Sequence, residues 1–147
     1  MSSQKKLKFN YNDGGRSAAG FKGKANDCVC RAIAIVTGKE YQEVYAALNE
    51  LSKHETKSKR RRGKSSSRNG VYRVTYDKYL KNLGWTWVPT MRVGQGATHH
   101  LREGELPNGR IICRLSKHLC AVIDGTIQDT HDPSRGGNRI VYGYWRQ

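Results

Sequence analysis

Residues 26–36 read NDCVCRAIAIV, a cysteine followed by an almost unbroken apolar run. Asn26 or Asp27 can cap a helix that begins at Cys28 and continues until Gly38 supplies a stop signal. Because the run is apolar nearly all round, the helix should be buried at the centre of the domain. Its first residue, Cys28, meets the free backbone N–H groups and the positive end of the helix dipole, which favour thiolate over thiol.

A second informative segment begins at His118, which opens a strand-like run that ends in Asp124-Gly125, a strong two-residue hairpin signal. With these two residues in the turn, His118 falls opposite His131, and Asp129 becomes its diagonal neighbour on the same face, about 7 Å away by backbone. A histidine facing the helix end can take the thiol proton. The sequence therefore predicts Cys28 as nucleophile, His118 as base and Asp129 as the orienting acid.

Each of these residues has a rival or an ordinary explanation. Cys30 is the other candidate nucleophile, but it lies about 200° around the helix from Cys28, so only one of the two can face the histidine. Cys28 is nearer the capped N-terminus and is preferred. Asp132 is the alternative acid, although strand alternation points it to the opposite face. Taken singly, a free cysteine is most often a small buried hydrophobic residue, and the histidine and aspartate can be ordinary strand residues.

Metal binding is a further interpretation of cysteines and histidines. Cys28 and Cys30 are separated by one residue, not by the two to four that are usual in zinc sites, and no matching second pair exists. His99-His100 lies on a glycine-flanked loop without nearby cysteines. We therefore expect no metal and no cofactor.

Composition limits the class of protein. The chain has 147 residues, enough for one domain, with 36% hydrophobic residues, a net charge of +15 and a pI near 10.0. This charge favours nucleic acid or acidic proteins as partners. The sequence lacks a transmembrane run and a secretory signal, so we expect no membrane contact, a cytoplasmic location and free cysteines. Nothing in the sequence indicates an oligomeric state.

The excess charge is concentrated in residues 53–70, where eight basic residues and one acid lie between Lys53 and Arg68. Without a large apolar side chain, this segment is predicted to be a disordered basic loop. Its centre, Arg60-Arg61-Arg62, is the candidate polyanion-binding group. The alternative function is accordingly a non-catalytic module that binds nucleic acid or an acidic protein, with aromatic residues as stacking platforms: Tyr72, Tyr76, Trp85 and Trp87. Those aromatics lie at core spacing, which favours a structural role.

The order of elements predicts an α+β domain, with helices first and an antiparallel sheet after them. Residues 1–25 are expected to be an extended polar lead-in, and residues 26–147 the domain itself. Further helices are predicted from Tyr41 to Leu51 and from about Val71 to Leu83. Strands are predicted at 85–89, 111–115, 118–123, 126–130 and 139–145, and a loop at 94–109.

Two blocks of residues resemble a known family. The first is Asn26-Asp27-Cys28-x-x-Arg31-Ala32-Ile33 with Gly38-Lys39-x-Tyr41-x-x-Val44, and the second is Ser116-Lys117-His118-Leu119-x-Ala121-Val122-x-Asp124-Gly125-x-Ile127-x-Asp129-Thr130. They look like the cysteine helix and the histidine and acid strands of small papain-like cysteine peptidases from phages and bacteria, and are similar to bacteriocin-leader (double-glycine) peptidases. The resemblance covers roughly residues 26–145.

The resemblance implies a papain-like fold and thiol-dependent hydrolysis of a peptide or isopeptide bond by Cys28, His118 and Asp129, in the cytoplasm of a bacterial host if a phage encodes the chain. The same chemistry also serves amide transfer. There are two departures from the family. Lys22 stands where these enzymes place an oxyanion-binding glutamine, which leaves Asn26 and the Cys28 backbone N–H as candidate donors. The pair Asp132-Pro133 also resembles the aspartate-proline of the leader peptidases, which keeps Asp132 open as the acid.

Overall fold

The computed structural model describes residues 6–56, 63–92 and 94–147, and they form an α+β domain. The helices are α1 (Cys28–Thr37), α2 (Tyr41–Ser52) and α3 (Arg73–Asn82), and a 3₁₀ turn covers Arg135–Gly137. The strands are β1 (Lys8–Tyr11), β2 (Thr86–Pro89), β3 (Met91–Arg92), β4 (Gly96–Ala97), β5 (Arg110–Leu115), β6 (His118–Ile123), β7 (Thr126–Asp129) and β8 (Gly143–Arg146). Among the described helices, none is both long and apolar enough to cross a membrane.

Six strands form one sheet in the order β1-β7-β6-β5-β8-β2, and β3 and β4 form a separate two-stranded ribbon. The neighbours in the large sheet are antiparallel except for β1, which runs parallel to β7. The prediction of a purely antiparallel sheet is therefore wrong, because the expected lead-in contains a strand. All four residues of β1 are exposed, so the strand is held by backbone pairing along the outer edge of β7 rather than by burial.

Helix α1 has the predicted bounds. Gly38 ends it in the left-handed conformation at φ 73°, and its N–H donates to the Ala34 carbonyl at 3.0 Å. Asp27 occupies the N-cap position, but its side chain does not cap the helix. The carboxylate instead accepts hydrogen bonds from Tyr41 and Arg31, which leaves the first backbone N–H groups of the helix without the predicted side-chain cap.

The other elements differ in their bounds from the predictions. Helix α3 begins at Arg73 instead of Val71, because the backbone of Tyr72 is extended (φ −65°, ψ 148°). The last strand is limited to Gly143–Arg146, and the ribbon of β3 and β4 reaches into the predicted loop at 94–109. A side chain at Gly143 would place its Cβ 2.4 Å from the Trp87 ring, so glycine lets β2 and β8 pack closely. Strand β2 lies at the edge of the sheet, as Pro89 predicts.

The sheet has a hydrophobic core on each face. On one face α1 packs between α2 and the sheet, and the alternating residues Leu119 and Ala121 of β6 face it. The other face buries a second set: Leu7, Leu101, Ile111, Cys113, Leu115, Cys120, Val122, Ile127 and Val141. The central burial predicted for α1 is confirmed, since seven of its ten residues are buried. This packing brings the N-terminus of α1 to the end of the sheet where β6 begins and β7 ends.

The described part of the basic segment is packed against the domain. Ser67 is fully buried, its N–H donates to the Asn49 side chain at 2.8 Å, and its hydroxyl donates to the Tyr45 carbonyl at 2.7 Å. The prediction of one disordered loop over residues 53–70 is therefore wrong for residues 63–70, because small serine side chains dock closely on α2. Residues 57–62, which include the candidate polyanion-binding residues Arg60, Arg61 and Arg62, lie outside the described ranges.

Two of the four aromatic residues considered as stacking platforms belong to the core. Tyr76 and Trp85 are each only 6% exposed, and both pack in the cluster around α1. A base cannot stack on a ring that the protein already covers. Tyr76 and Trp85 are therefore not available as stacking platforms for the nucleic-acid alternative.

Candidate active site

Cys28 is the first residue of α1 and is half-buried at the wall of a cavity of about 780 Å³. The first N–H groups of a helix have no partner within the helix, so the thiol lies among free donors at the positive end of the dipole. His118 and Leu119 line the same cavity, and both lie close enough to the Cys28 thiol to influence its pKa. The structure therefore places Cys28 and His118 at one cavity, and their roles as nucleophile and base stay predictions.

His118 and Asp129 are placed by the hairpin that joins β6 to β7. Asp124 and Gly125 occupy its turn with positive φ values of 47° and 77°, and Ile123 lies opposite Thr126, which is the register predicted from the sequence. The His118 Nε2 atom lies 2.7 Å from the Asp129 Oδ2 atom. With Nε2 engaged by the carboxylate, Nδ1 is the ring nitrogen left to face the thiol.

The electrostatic environment of Cys28 favours the thiolate. Burial alone would raise the pKa of its thiol. The hydrogen bond and positive charge of His118, the Leu119 N–H and the Arg31 guanidinium together outweigh burial, and the pKa lies below its ordinary value. A cysteine with a lowered pKa beside a histidine is the setting in which thiols act as nucleophiles at neutral pH.

The pKa of His118 is raised and the pKa of Asp129 is lowered, and both shifts favour the charged form of the residue. Burial lowers the pKa of His118, but the hydrogen bond to Asp129 and the interaction with Cys28 raise it to about 9. Burial would raise the pKa of Asp129, and the hydrogen bond and charge of His118, the N–H of Thr130 and the charge of Arg31 lower it instead. The directions of the three pKa shifts thus favour the thiolate, the imidazolium and the carboxylate over their uncharged or unpaired forms.

Arg31 and Asp27 form a buried ionic network behind the cysteine. The Asp27 carboxylate is 2% exposed, forms an ion pair with Arg31, accepts the Tyr41 hydroxyl at 2.6 Å and lies 3.4 Å from Arg16 Nε. Arg31 also reaches Asp129, with 3.5 Å between Nη2 and Oδ1. Sequence reasoning treated Asp27 as a candidate cap and Arg31 as a motif residue, and it missed their ion pair. Their i, i+4 spacing on a helix is the signal that could have identified the pair.

The remaining cysteines are not comparable with Cys28. Cys30 is fully buried, its thiol contacts the Tyr41 carbonyl at 3.7 Å, and burial raises its pKa to about 12. Burial likewise raises the pKa of Cys113 and Cys120 above its ordinary value. All four cysteines are free, as predicted. The preference for Cys28 over Cys30 therefore agrees with the structure.

The alternative acid, Asp132, does not bond His118, and of the candidate oxyanion donors both Asn26 and Cys28 line the cavity. Asp132 is exposed and accepts the Ser134 N–H at 2.9 Å, which is a local turn contact rather than a bond to His118. The orienting position belongs to Asp129. Asn26 lines the cavity beside Cys28, and its backbone N–H donates to the Arg68 carbonyl at 2.7 Å. Lys22 is not among the residues that line the cavity.

His131 adds a second histidine to the site. Its ring centroid lies 5.3 Å from that of His118, as the predicted register places it. His118, Asp129 and His131 each offer one ligand atom, and these atoms lie within 4.8 Å of one another. Sequence reasoning tested cysteine pairs and His99-His100 for metal binding and missed this group. The signal was available in the hairpin register, which sets the two histidines opposite each other.

Comparison with known proteins gives no further assignment, because no protein-family model, curated protein or solved structure matches this chain.

Proposed function

We propose that this protein is a papain-like thiol hydrolase that cleaves a peptide or isopeptide bond through Cys28, His118 and Asp129. One observation carries the proposal: the Cys28 thiol, at a helix N-terminus, shares a cavity with His118, which lowers the pKa of the thiol and whose Nε2 atom lies 2.7 Å from the Asp129 carboxylate. A helix that begins with the nucleophile and packs on a sheet carrying base and acid is also the arrangement that the family resemblance implies. The four free cysteines fit a reducing compartment, so we place the activity in the cytoplasm.

The reaction follows from the protonation states of the three groups. The Cys28 thiolate attacks the scissile carbonyl carbon, and the C=O electron pair moves to oxygen. The Cys28 backbone N–H and the Asn26 side-chain amide are the proposed donors to this oxyanion, each worth about 3 kcal/mol in comparable sites. Collapse of the intermediate expels the amine, which takes its proton from the His118 imidazolium, and leaves a thioester on Cys28.

The second half of the reaction returns the site to its starting state. The neutral His118 takes a proton from water, and the resulting hydroxide attacks the thioester carbonyl. The carboxylic acid product leaves, and the thiolate–imidazolium pair is restored. Asp129 holds the ring in the orientation needed for both steps and stabilises its positive charge. An amine in place of water would give acyl transfer by the same route.

A thiol-reactive epoxysuccinyl probe with peptide mapping by mass spectrometry tests the proposal. The folded protein should be labelled on Cys28, and Cys28→Ala should abolish labelling. Cys30→Ala, which removes the neighbouring thiol, is the matched control and should leave labelling in place. Equal labelling of several cysteines, or none on the folded protein, would contradict the proposal. Peptides that the protein cleaves are then incubated in water enriched in heavy oxygen. Hydrolysis places a heavy oxygen atom in the new carboxyl group, whereas acyl transfer to an amine does not.

A further inference from the structure

The cavity beside Cys28 is lined by cations. Its described lining holds four arginine and lysine side chains against one carboxylate, that of Asp27: Arg31, Arg73, Arg114 and Lys117. Asp27 is 2% exposed, and its oxygens are taken up by Arg31, Arg16 and Tyr41. The surface that meets a substrate in this part of the chain is therefore positively charged.

Arg114 is a half-buried cation of this cavity without a carboxylate in salt-bridge distance among the described residues. Arg31 is committed to Asp27 and Asp129, whereas Arg114 makes no ion pair with a carboxylate within 4.0 Å among the described residues. Its guanidinium lies 5.8 Å from the centroid of the Tyr142 ring and interacts with the Tyr76 hydroxyl. In the sheet it pairs with Leu119, the residue directly after His118. Arg114 is thus a half-buried positive charge one strand away from the proposed base.

Arg73 stands next to it at the start of α3. Its Nε lies 3.3 Å from Asp77 Oδ2, and its guanidinium carbon lies 5.1 Å from the centroid of the Trp87 ring. The Asp77 carboxylate interacts electrostatically with both arginines, so one negative charge is shared between two positive ones. Arg73 and Arg114 also line a second cavity of about 440 Å³, together with Trp87, Met91 and Tyr142. Both arginines therefore line both cavities, and their guanidinium groups lie over aromatic rings.

Lys117 adds a charge at the rim, in the turn between β5 and β6. Its φ is +57°, a left-handed conformation that glycine or asparagine adopts with less strain. The side chain is exposed directly before His118. A lysine at this position brings a third cation to the entrance of the cleft, although the backbone there favours a residue with a smaller side chain.

We infer that the proposed hydrolase selects peptides with an acidic residue close to the scissile bond, whose carboxylate binds between Arg73 and Arg114. The inference rests on the proposed function and names the substrate class of the same site. Guanidinium groups bind carboxylates through paired N–H donors, and the aromatic rings fix the plane in which those donors lie. An acidic peptide is favoured over nucleic acid because the thiolate–imidazolium pair acts on an acyl carbon, which a phosphodiester lacks.

Peptidyl vinyl sulfones that differ only in glutamate or glutamine at one position test the inference. The acidic residue is moved through each position beside the electrophile, and the rate of Cys28 labelling is divided by the iodoacetamide rate of the same variant. At one position the glutamate probe should react about tenfold faster, and added salt should reduce the difference. Arg114→Gln and Arg73→Gln should each remove most of this preference, and Arg114→Lys should keep part of it. Arg146→Gln, which removes an exposed arginine outside the cavity, should leave it intact.

The outcomes distinguish this inference from the proposed function. If iodoacetamide labels Cys28 selectively while the glutamate and glutamine probes react equally at every position, the acidic specificity is wrong and the thiol chemistry remains. If neither reagent labels Cys28, the proposed function itself is wrong. If a single-stranded oligonucleotide protects Cys28 from iodoacetamide better than an acidic peptide does, the cleft binds nucleic acid and the peptide assignment is overturned. The circular dichroism of Arg114→Gln and Arg73→Gln shows that a lost preference is not lost folding.

Discussion

Arg31 joins the helix of the proposed nucleophile to the strand of the proposed acid, because its Nη2 atom lies 3.5 Å from Oδ1 of Asp129. Arg31 is three residues after Cys28, so the same guanidinium is close to both ends of the site. Its charge contributes to the lowered pKa of the Cys28 thiol and of the Asp129 carboxyl. The negative charges at the two ends of the site are therefore stabilised by one residue as well as by the imidazolium between them.

The alkylation rate of Cys28 should depend on pH in a way that reports the ion pair. Because the pKa of this thiol is lowered, the labelling rate should rise with pH with an inflection below 9.0, the ordinary pKa of a cysteine thiol. In His118→Gln the main lowering influence is lost and burial remains, so the inflection should move to higher pH. Iodoacetamide labelling across a pH series measures both. An unchanged inflection in the variant would rule out the ion pair.

Peptide cleavage should follow a bell-shaped pH profile. The rate rises as Cys28 loses its proton and falls as the His118 imidazolium, with a pKa of about 9, loses the proton that the leaving amine needs. The alkaline limb belongs to the coupled pair and should therefore lie near pH 9. Initial rates on a peptide identified by the vinyl sulfone series measure it. A rate that continues to rise through pH 10 would argue against His118 as the proton donor.

Asp129→Asn should lower Cys28 reactivity at neutral pH. The neutral amide no longer stabilises the imidazolium, so the pKa of His118 falls and that of Cys28 rises. Reactivity at pH 6 should fall by about tenfold for each unit by which the thiol pKa rises. Asp132→Asn, which changes only an exposed turn contact, is the matched control. A larger effect of Asp132→Asn would reassign the acid.

Zinc should inhibit the site reversibly. His118, Asp129 and His131 provide three ligand atoms close together, and a zinc ion bound there would occupy the nitrogen that orients the ring toward Cys28. Zinc should slow Cys28 labelling, EDTA should restore it, and magnesium should have no effect. His131→Gln should weaken the inhibition, whereas His99→Gln should not. Inhibition that is equal in all three proteins would place the zinc on Cys28 alone.

Tyr41→Phe should destabilise the fold by about 1.5–3 kcal/mol, the range for a hydrogen bond to a charged group. The buried Asp27 carboxylate loses the hydroxyl that donates to it at 2.6 Å. Tyr45→Phe, one turn along the same helix and half-buried, is the control and should lower the free energy of unfolding by less. Urea denaturation measures both free energies of unfolding. Equal values would mean that the Tyr41 hydroxyl contributes nothing specific.

The helix and the hairpin of the site could be predicted because their signals are local. A capping position, an apolar run and Gly38 define α1, and Asp124-Gly125 fixes the register that brings His118 to Asp129. Strand β1 was missed although Lys8-Phe9-Asn10-Tyr11 alternates polar and aromatic side chains, because the strand is short and its partner is more than a hundred residues away. The cationic lining of the cavity was equally hidden, since Arg73 and Arg114 are 41 residues apart in the sequence and come together only in the folded domain.

Strand β1 has a practical consequence for anyone who shortens this chain. The Asn12 N–H donates to the Asp129 carbonyl at 2.8 Å, so the strand of the proposed acid is an interior strand only while β1 is present. A version trimmed to Asn26 would keep every residue of the Cys28–His118–Asp129 series and yet expose β7 as a free sheet edge. Such an edge favours pairing between molecules, and an inactive or aggregating fragment would misrepresent the chemistry of the domain with β1 in place.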